Sequence, residues 1–418
     1  MLPFSSYLPR GPKLSRPPGS ARLPGLLILH LAAFLYFFLC SAQPQTKPSS
    51  TNFAALSKRA DEARDANRLP DAAALYTRAL ALRPNWAEGW WSLATLEYDQ
   101  DHYAKAAMDF EKLLALKPQN GTAYAMLGLC DFELGRDQQA LEHIQKGKSI
   151  GLTKEGGLWN VVLYHEGILL QRKGRFEAAQ ETLEELCLRG SQTDEVANIL
   201  GMTLLRLTSK NPPPPGSADA NIVVRVGRAE CLAGQKKYDE ARLAFEQAVK
   251  ENPDYPNIHY AYGLSLLELR DVAASVEQFK QEIKNHPNHV LARLRIAAVL
   301  YKEDSAAGIP YAEEAIKLDP QLGFAHYLLG LLLLDTGNYD GALPELEIAQ
   351  KSFPREARLY FALGAAYSHA GRKQDAARAR STFDRLTKEG TSSTVASDQL
   401  GFRGGEKMGG EESTRPPQ

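Results

Sequence analysis

Cysteine is scarce: four residues in 418, too few for the disulfide framework of a small secreted fold. Neither sign of charge is in excess, with 49 basic against 50 acidic residues, so no global field recruits nucleic acid or an anionic membrane. Histidine is thin as well. Nine are scattered along the chain, and no pair has metal-ligand spacing such as His-Glu-x-x-His. His165-Glu166 lacks the second histidine, and His286 and His289 read as a surface pair flanking a turn. No Gly-rich phosphate loop follows a strand, and no Gly-x-Ser-x-Gly elbow occurs. Carboxylates are plentiful, but on helical surfaces they are usually solvated partners of Lys and Arg. These absences leave no candidate nucleophile, general base, metal ligand set or cofactor, and the chain is expected not to be an enzyme.

What is present is apolar material. Hydrophobic residues make up 44% of the chain, with 17 Tyr and 15 Phe, and 418 residues exceed what one compact core holds. The N-terminus is set apart. Arg10, Lys13, Arg16 and Arg22 precede the apolar run Leu23–Leu39, which the small residues Cys40, Ser41 and Ala42 follow. This is the order of a secretory signal, and cleavage is expected after Ala42. An uncleaved anchor is the alternative, since a run of this length can just span a bilayer. Either way the bulk of the chain is exported, to the periplasm or outside the cell, with membrane contact only through the N-terminal segment. Cys130, Cys187 and Cys231 then remain. All three fall at apolar helical positions and are expected as buried free thiols, with one loose pair or a free reactive thiol left open. Asn120-Gly121-Thr122 fits a glycosylation acceptor, a three-residue match that matters only in a eukaryotic secretory pathway.

Comparing the chain with itself at a shift of about 34 residues exposes its organisation. Trp90, Leu93, Ala94, Tyr98, Tyr103, Ala106, Phe110 and Pro118 are answered one period on by Tyr124, Leu127, Gly128, Phe132, Ala140 and Ile144. One period earlier stand Leu56, Ala60, Ala72, Tyr76, Ala79 and Pro84. The pattern returns with Ala229, Tyr238, Ala241, Phe245, Ala248 and Pro253, then Tyr262, Gly263, Phe279 and Pro287, and again with Leu329, Gly330, Tyr339, Ala342, Ala349 and Pro354. Each unit holds two apolar stretches at helical spacing, parted by turn residues such as Leu134-Gly135-Arg136. Pro at the unit's end closes the second helix, and Pro70, Pro310 and Pro344 are expected in the first turn of a second helix. No unit buries its apolar face alone, so stability comes from stacking neighbours. The chain resembles the tetratricopeptide repeat, with nine nearly full units and one half unit over residues 52–388. The expected fold is all-α, a superhelical solenoid of α-α hairpins with about nineteen helices.

Departures from the period mark the expected domain plan: signal 1–42, linker 43–52, N-terminal array 53–209, proline-rich segment 210–219, C-terminal array 220–388 and disordered tail 389–418. The fifth unit keeps its first helix but has Pro212 to Pro215 where the second should stand. That run favours extended polyproline and reads either as a hinge between two arrays or as a surface loop. The eighth unit is one residue short around Ala306–Pro310. The tail is rich in Gly, Ser, Glu and Pro.

In arrays of this family the first helices line the concave face, which usually takes peptide ligands. The resemblance therefore implies a groove carrying Trp91, Tyr98, Phe132, Tyr164, Tyr260, Tyr301, Phe324, Tyr327 and Phe361. Such rings dominate interface energies, although each could instead pack between repeats. The Lys and Asn of a carboxylate-clamp array are missing, since Ser57, Asp61 and Ser92 stand at those slots. The expected function is a non-catalytic scaffold of the cell envelope that binds a protein or peptide. A carbohydrate or polymer-export adaptor and an accessory subunit of an envelope enzyme are the alternatives.

Overall fold

The computed structural model describes residues 50–154, 157–208, 212–301 and 303–389. The expected signal, most of the linker and most of the tail lie outside these residues. Among those described, there are nineteen helices and no strand, and no helix is long and apolar enough to cross a membrane. The described residues separate into two compact units that meet in sequence at Val161–Val162.

In the first unit three hairpins follow one another: α1 (Ser50–Asp65) with α2 (Leu69–Leu82), α3 (Ala87–Asp99) with α4 (Tyr103–Leu116), and α5 (Gly121–Glu133) with α6 (Asp137–Ile150). The division falls inside α7 (Gly157–Arg172). The second unit continues with α8 (Phe176–Leu188), α9 (Asp194–Leu204), α10 (Ala218–Gly234), α11 (Tyr238–Glu251), α12 (Ile258–Glu268) and α13 (Val272–Asn285). It ends with α14 (Val290–Leu300), α15 (Ser305–Leu318), α16 (Gly323–Asp335), α17 (Tyr339–Ser352), α18 (Ala357–His369) and α19 (Lys373–Lys388). Within each unit the core lies between the helices of each hairpin and between successive hairpins. Ala60, Ala72, Tyr76, Leu80, Leu93 and Leu96 form it at the start of the first unit.

Two recurring devices hold the hairpins. Between first and second helix the chain passes through one left-handed residue, at Asn67, Asp101, Gly135, Gly174, Lys236, Arg270, Gly337 and Gly371. Positive φ reverses the chain in few residues and is costly for side chains other than Gly and Asn. Among the described residues of the short eighth unit there is no such residue. There Tyr301 stays extended and Asp304 caps α15 by accepting the Ala307 N–H at 3.1 Å. At the junctions between hairpins, a polar-tipped ring six residues after a proline bonds to that proline's carbonyl. Trp90 does so with Pro84 at 2.7 Å, His259 with Pro253 at 3.0 Å, His326 with Pro320 at 3.1 Å and Tyr360 with Pro354 at 3.0 Å. The closing proline thus ends one helix and, through its carbonyl, ties down the next.

Two expectations, on the prolines and on the cysteines, need correction. Pro70 does sit in the first turn of α2, but Pro310 and Pro344 lie inside α15 and α17. The tertiary packing of these helices overrides the loss of one helical hydrogen bond. The proline-rich run, for which the sequence leaves hinge and surface loop both open, lies between two helices of the second unit, α9 and α10. α9 and α10 pack so closely that a Cβ on Gly227 would sit 1.8 Å from the Ala197 carbonyl oxygen, and one on Gly201 1.9 Å from that of Val223. The prolines span the loop between them, and Ser217 caps α10 by accepting the Ala220 N–H at 3.1 Å. As for the cysteines, Cys187 and Cys231 form a disulfide with Cα atoms 5.2 Å apart, joining α8 to α10. Among the described residues Cys130 is the buried free thiol, its ionisation pushed up to about 12 chiefly by burial.

A buried polar network in the second unit gives a pH prediction. His289 caps α14, its Nδ1 accepting the Ala292 N–H at 2.9 Å, while Nε2 lies 2.8 Å from Asn257 Oδ1. An Nδ1 that accepts must be unprotonated, so Nε2 carries the proton and the ring is neutral. Burial, then the charges of Arg206 and His286, push its pKa down to about 4 from 6.5; Arg293 adds to this, and Glu282 lies 4.0 Å from Nε2. Between these values the unfolded chain binds the proton and the folded chain does not, so stability falls as pH drops from 6.5 towards 4. The total is about 3 kcal/mol at most. Urea midpoints measured across that range should fall more steeply for the parent than for His289→Asn, which keeps a capping oxygen but does not titrate. Equal slopes would place the titrating group elsewhere.

Candidate functional site

The groove residues expected in the first unit are all half-buried. Trp91 is half-buried on α3, with its ring edge-on to Phe110 at 5.7 Å. Tyr98, two turns further along α3, is half-buried and meets Tyr103 edge-on at 5.3 Å. Phe132 holds the slot of Tyr98 on α5 and is half-buried too. Tyr98 and Phe132 are each followed by an exposed carboxylate, Asp99 and Glu133; one period earlier on α1 the exposed Asp65 accepts from Arg64 at 3.1 Å. The Tyr103 hydroxyl donates to Asp101 at 2.8 Å. Burial first, then the negative charge of Asp101 and Glu133, pushes its pKa well up. Half-exposed aromatic faces beside a row of carboxylates offer area to an apolar side chain and charge to a basic one.

In the second unit Tyr164 and Tyr301 are half-buried, and Phe361 is 42% exposed with its ring 5.6 Å from Phe383. The Tyr164 phenol is raised mainly by burial, then by the charge of Glu195. Tyr260, Phe324 and Tyr327 do not line a surface. They are 0%, 1% and 2% exposed, and their placement in the groove is corrected to the core. The Tyr260 hydroxyl accepts from Arg206 at 3.3 Å and Arg295 at 3.4 Å. Phe324 and Tyr327 belong to α16, buried without a break from Gly323 to Leu333. A helix so enclosed has no solvent-facing stripe, so a slot that is exposed in one repeat is interior in another.

Sequence spacing gives no hint of a further cluster. Glu184 on α8, Glu230 on α10 and Glu268 on α12 each offer a carboxylate oxygen within 4.8 Å of the others; the first two are buried and the third half-buried. Gln180 Nε2 donates to Glu230 Oε1 at 2.8 Å and reaches Glu268 Oε1 at 3.4 Å. Glu230 is wholly excluded from solvent, and its Oε2 has no hydrogen-bond partner. Burial pushes its carboxyl up to about 7 against the hydrogen bonds from Gln180 and Ser265. The three come from different hairpins, so no local motif announces them.

The helical hairpins, their turns and their period have a counterpart among known proteins. A tetratricopeptide repeat model matches residues 57–109, 92–150, 227–290, 260–322, 295–342 and 327–380, together more than half of the chain. The chain belongs to the tetratricopeptide repeat family. Protein IFIT1 homolog B of Homo sapiens is 27% identical over 176 residues, 38% of this chain and 37% of that protein. Anaphase-promoting complex subunit 3 of Schizosaccharomyces pombe is 22% identical over 142 residues, 34% of this chain and 21% of that protein. A TPR repeat-containing protein of Rhizobium etli is 32% identical over 83 residues, 20% of this chain and 41% of that protein. The matched region thus spans well under half the length of each of these relatives. A crystal structure of MamA is 20% identical, covering 39% of this chain and 96% of its own, with a TM-score of 0.37.

Tetratricopeptide arrays are typically scaffolds that bind proteins, in keeping with the surface of α3 and α5. The stretch the family model leaves unmatched, 151–226, is where this tetratricopeptide protein departs from its pattern. It holds Cys187, Glu184, Gln180, Gly201 and the proline loop.

Proposed function

We propose that the chain is a non-catalytic adaptor of the cell envelope that binds an exported polypeptide on its first helices. The observation that carries this reading is the face of the first unit. There Tyr98 and Phe132 hold equivalent slots on α3 and α5 and are half-exposed, as is Trp91 two turns earlier on α3, and the exposed carboxylates Asp99 and Glu133 directly follow the two equivalent rings. This face suits a segment presenting apolar side chains next to Lys or Arg. Export is supported by the N-terminal charge and apolar pattern and by the Cys187–Cys231 disulfide, since such bonds persist in oxidising compartments. By its name, the yeast relative is a subunit of a multiprotein complex, a role an adaptor of this kind shares.

The test is affinity purification of the tagged chain from the fractionated envelope of its native host, followed by mass spectrometry. A polypeptide partner should co-elute with the parent chain and be lost with Tyr98→Ala/Phe132→Ala. Each truncation should cost on the order of 2 kcal/mol of binding, as central aromatic residues do, with helical content and melting nearly unchanged. Recovery of polysaccharide, or of the chain alone, would sink the polypeptide-adaptor reading. A collapse of melting in the double variant would show that these rings are core rather than contact surface.

A further inference from the structure

The acidic cluster of the second unit is not explained by peptide binding. We propose that Glu184, Glu230 and Glu268 form a binding site for a hard divalent cation, of the Ca2+ or Mn2+ class, that ties α8, α10 and α12 together. The ligand atoms are in place. Three carboxylate oxygens lie within 4.8 Å of one another, a separation that oxygen ligands at about 2.3–2.6 Å from a shared Ca2+ can adopt.

The second observation is Glu230 Oε2. It belongs to a side chain with no solvent exposure and has no hydrogen-bond partner. The partners that Glu230 does have, Gln180 and Ser265, are neutral. A carboxylate oxygen withdrawn from water without a donor is costly, and buried charges are normally paired or coordinate a metal. A cation at the centre of the cluster supplies the missing partner. The cluster is also held in advance of binding. Cys231 follows Glu230 directly, and Cys187 lies one turn beyond Glu184, so the disulfide fixes α8 against α10 beside the two buried carboxylates. Gln180 meanwhile holds Glu230 and Glu268 from a common side-chain amide. Such outer hydrogen bonds orient metal ligands.

The donor set decides the class of ion. All donors are oxygens, and the nearby sulfurs are bound to each other, so a zinc site of thiolate and imidazole is ruled out by composition. Mg2+ usually keeps several waters, which a site with two buried carboxylates does not favour.

The experiment uses the full chain, stripped with EDTA and dialysed. Mn2+ uptake is followed by electron paramagnetic resonance with Ca2+ as competitor, and unfolding midpoints are recorded with and without each ion. One Mn2+ per chain, displaced by Ca2+ and accompanied by a higher midpoint, is expected. Glu230→Gln should weaken uptake by about 100-fold or more, beyond the effect of losing an outer-shell partner. Without metal it should melt at or above the parent, because it removes a buried charge while keeping its shape. Glu268→Gln, at a less buried position, gives the same reading if the first variant folds poorly. No uptake at millimolar Mn2+ and Ca2+ overturns the assignment, with the carboxylates then neutralised by shared protons. Uptake that both variants leave intact overturns it as well, since it would belong to surface carboxylates.

Discussion

Replacing Cys187 and Cys231 together by Ala is expected to cost about 4 kcal/mol of stability in the second unit, and reducing the parent protein should cost a similar amount. The disulfide closes a loop of 44 residues in sequence, and in the chain-entropy account a loop of this size restrains the unfolded state by about that much. Both cysteines are buried, at 0% and 3% exposure, so lost packing adds to the effect. Guanidinium unfolding monitored by circular dichroism, with and without dithiothreitol, is the measurement. The midpoint of the parent should fall on reduction, and that of the double variant should not move. Cys130→Ala should respond to reductant as the parent does, since Cys130 is free. If the parent is indifferent to dithiothreitol, the two thiols are unpaired in solution, and the support the disulfide lends to export falls with it.

Gly227→Ala should destabilise the same unit by about 3 kcal/mol or more, the upper range for overpacking. In an isolated helix the substitution would stabilise by about 1 kcal/mol, because Ala loses less backbone entropy. Here the added Cβ would lie 1.8 Å from the Ala197 carbonyl oxygen and 2.8 Å from the Gly201 nitrogen. Both are backbone atoms and cannot rotate aside, so α9 and α10 would have to part. Gly201→Ala meets the Val223 carbonyl at 1.9 Å and should behave alike. Gly234→Ala is the control, since its Cβ would find neighbours no nearer than 3.4 Å and propensity alone should act. Thermal unfolding of the three variants decides the matter. If Gly227→Ala is as stable as Gly234→Ala, the close crossing is absent in solution.

The sequence was sufficient wherever information recurs at a fixed period. Tyr76, Phe110, Phe245 and Phe279 could be placed in the core because the same slot repeats, and all four are fully buried. The turn residues Asn67, Asp101 and Gly135 follow the same interval and share positive φ. Hairpin order, helix number and the missing second helix of the fifth unit were legible for that reason, as was the family.

What remained hidden depends on which neighbours a side chain meets. Tyr98 and Tyr260 both occupy first helices, yet one is half-exposed and the other lies against Arg206 and Arg295. Periodicity fixes the face of a helix on which a residue sits, not how deeply the surrounding helices enclose that face. Which cysteines pair, and the Glu184–Glu230–Glu268 cluster, could not be read from the sequence for a related reason. Their members come from separate helices, α8, α10 and α12, that no local pattern brings together. Local pattern thus determined the helices and the order of the hairpins. Only tertiary packing, which sets how closely helices distant in sequence approach, decided which aromatic rings face solvent, which cysteines join and which carboxylates converge.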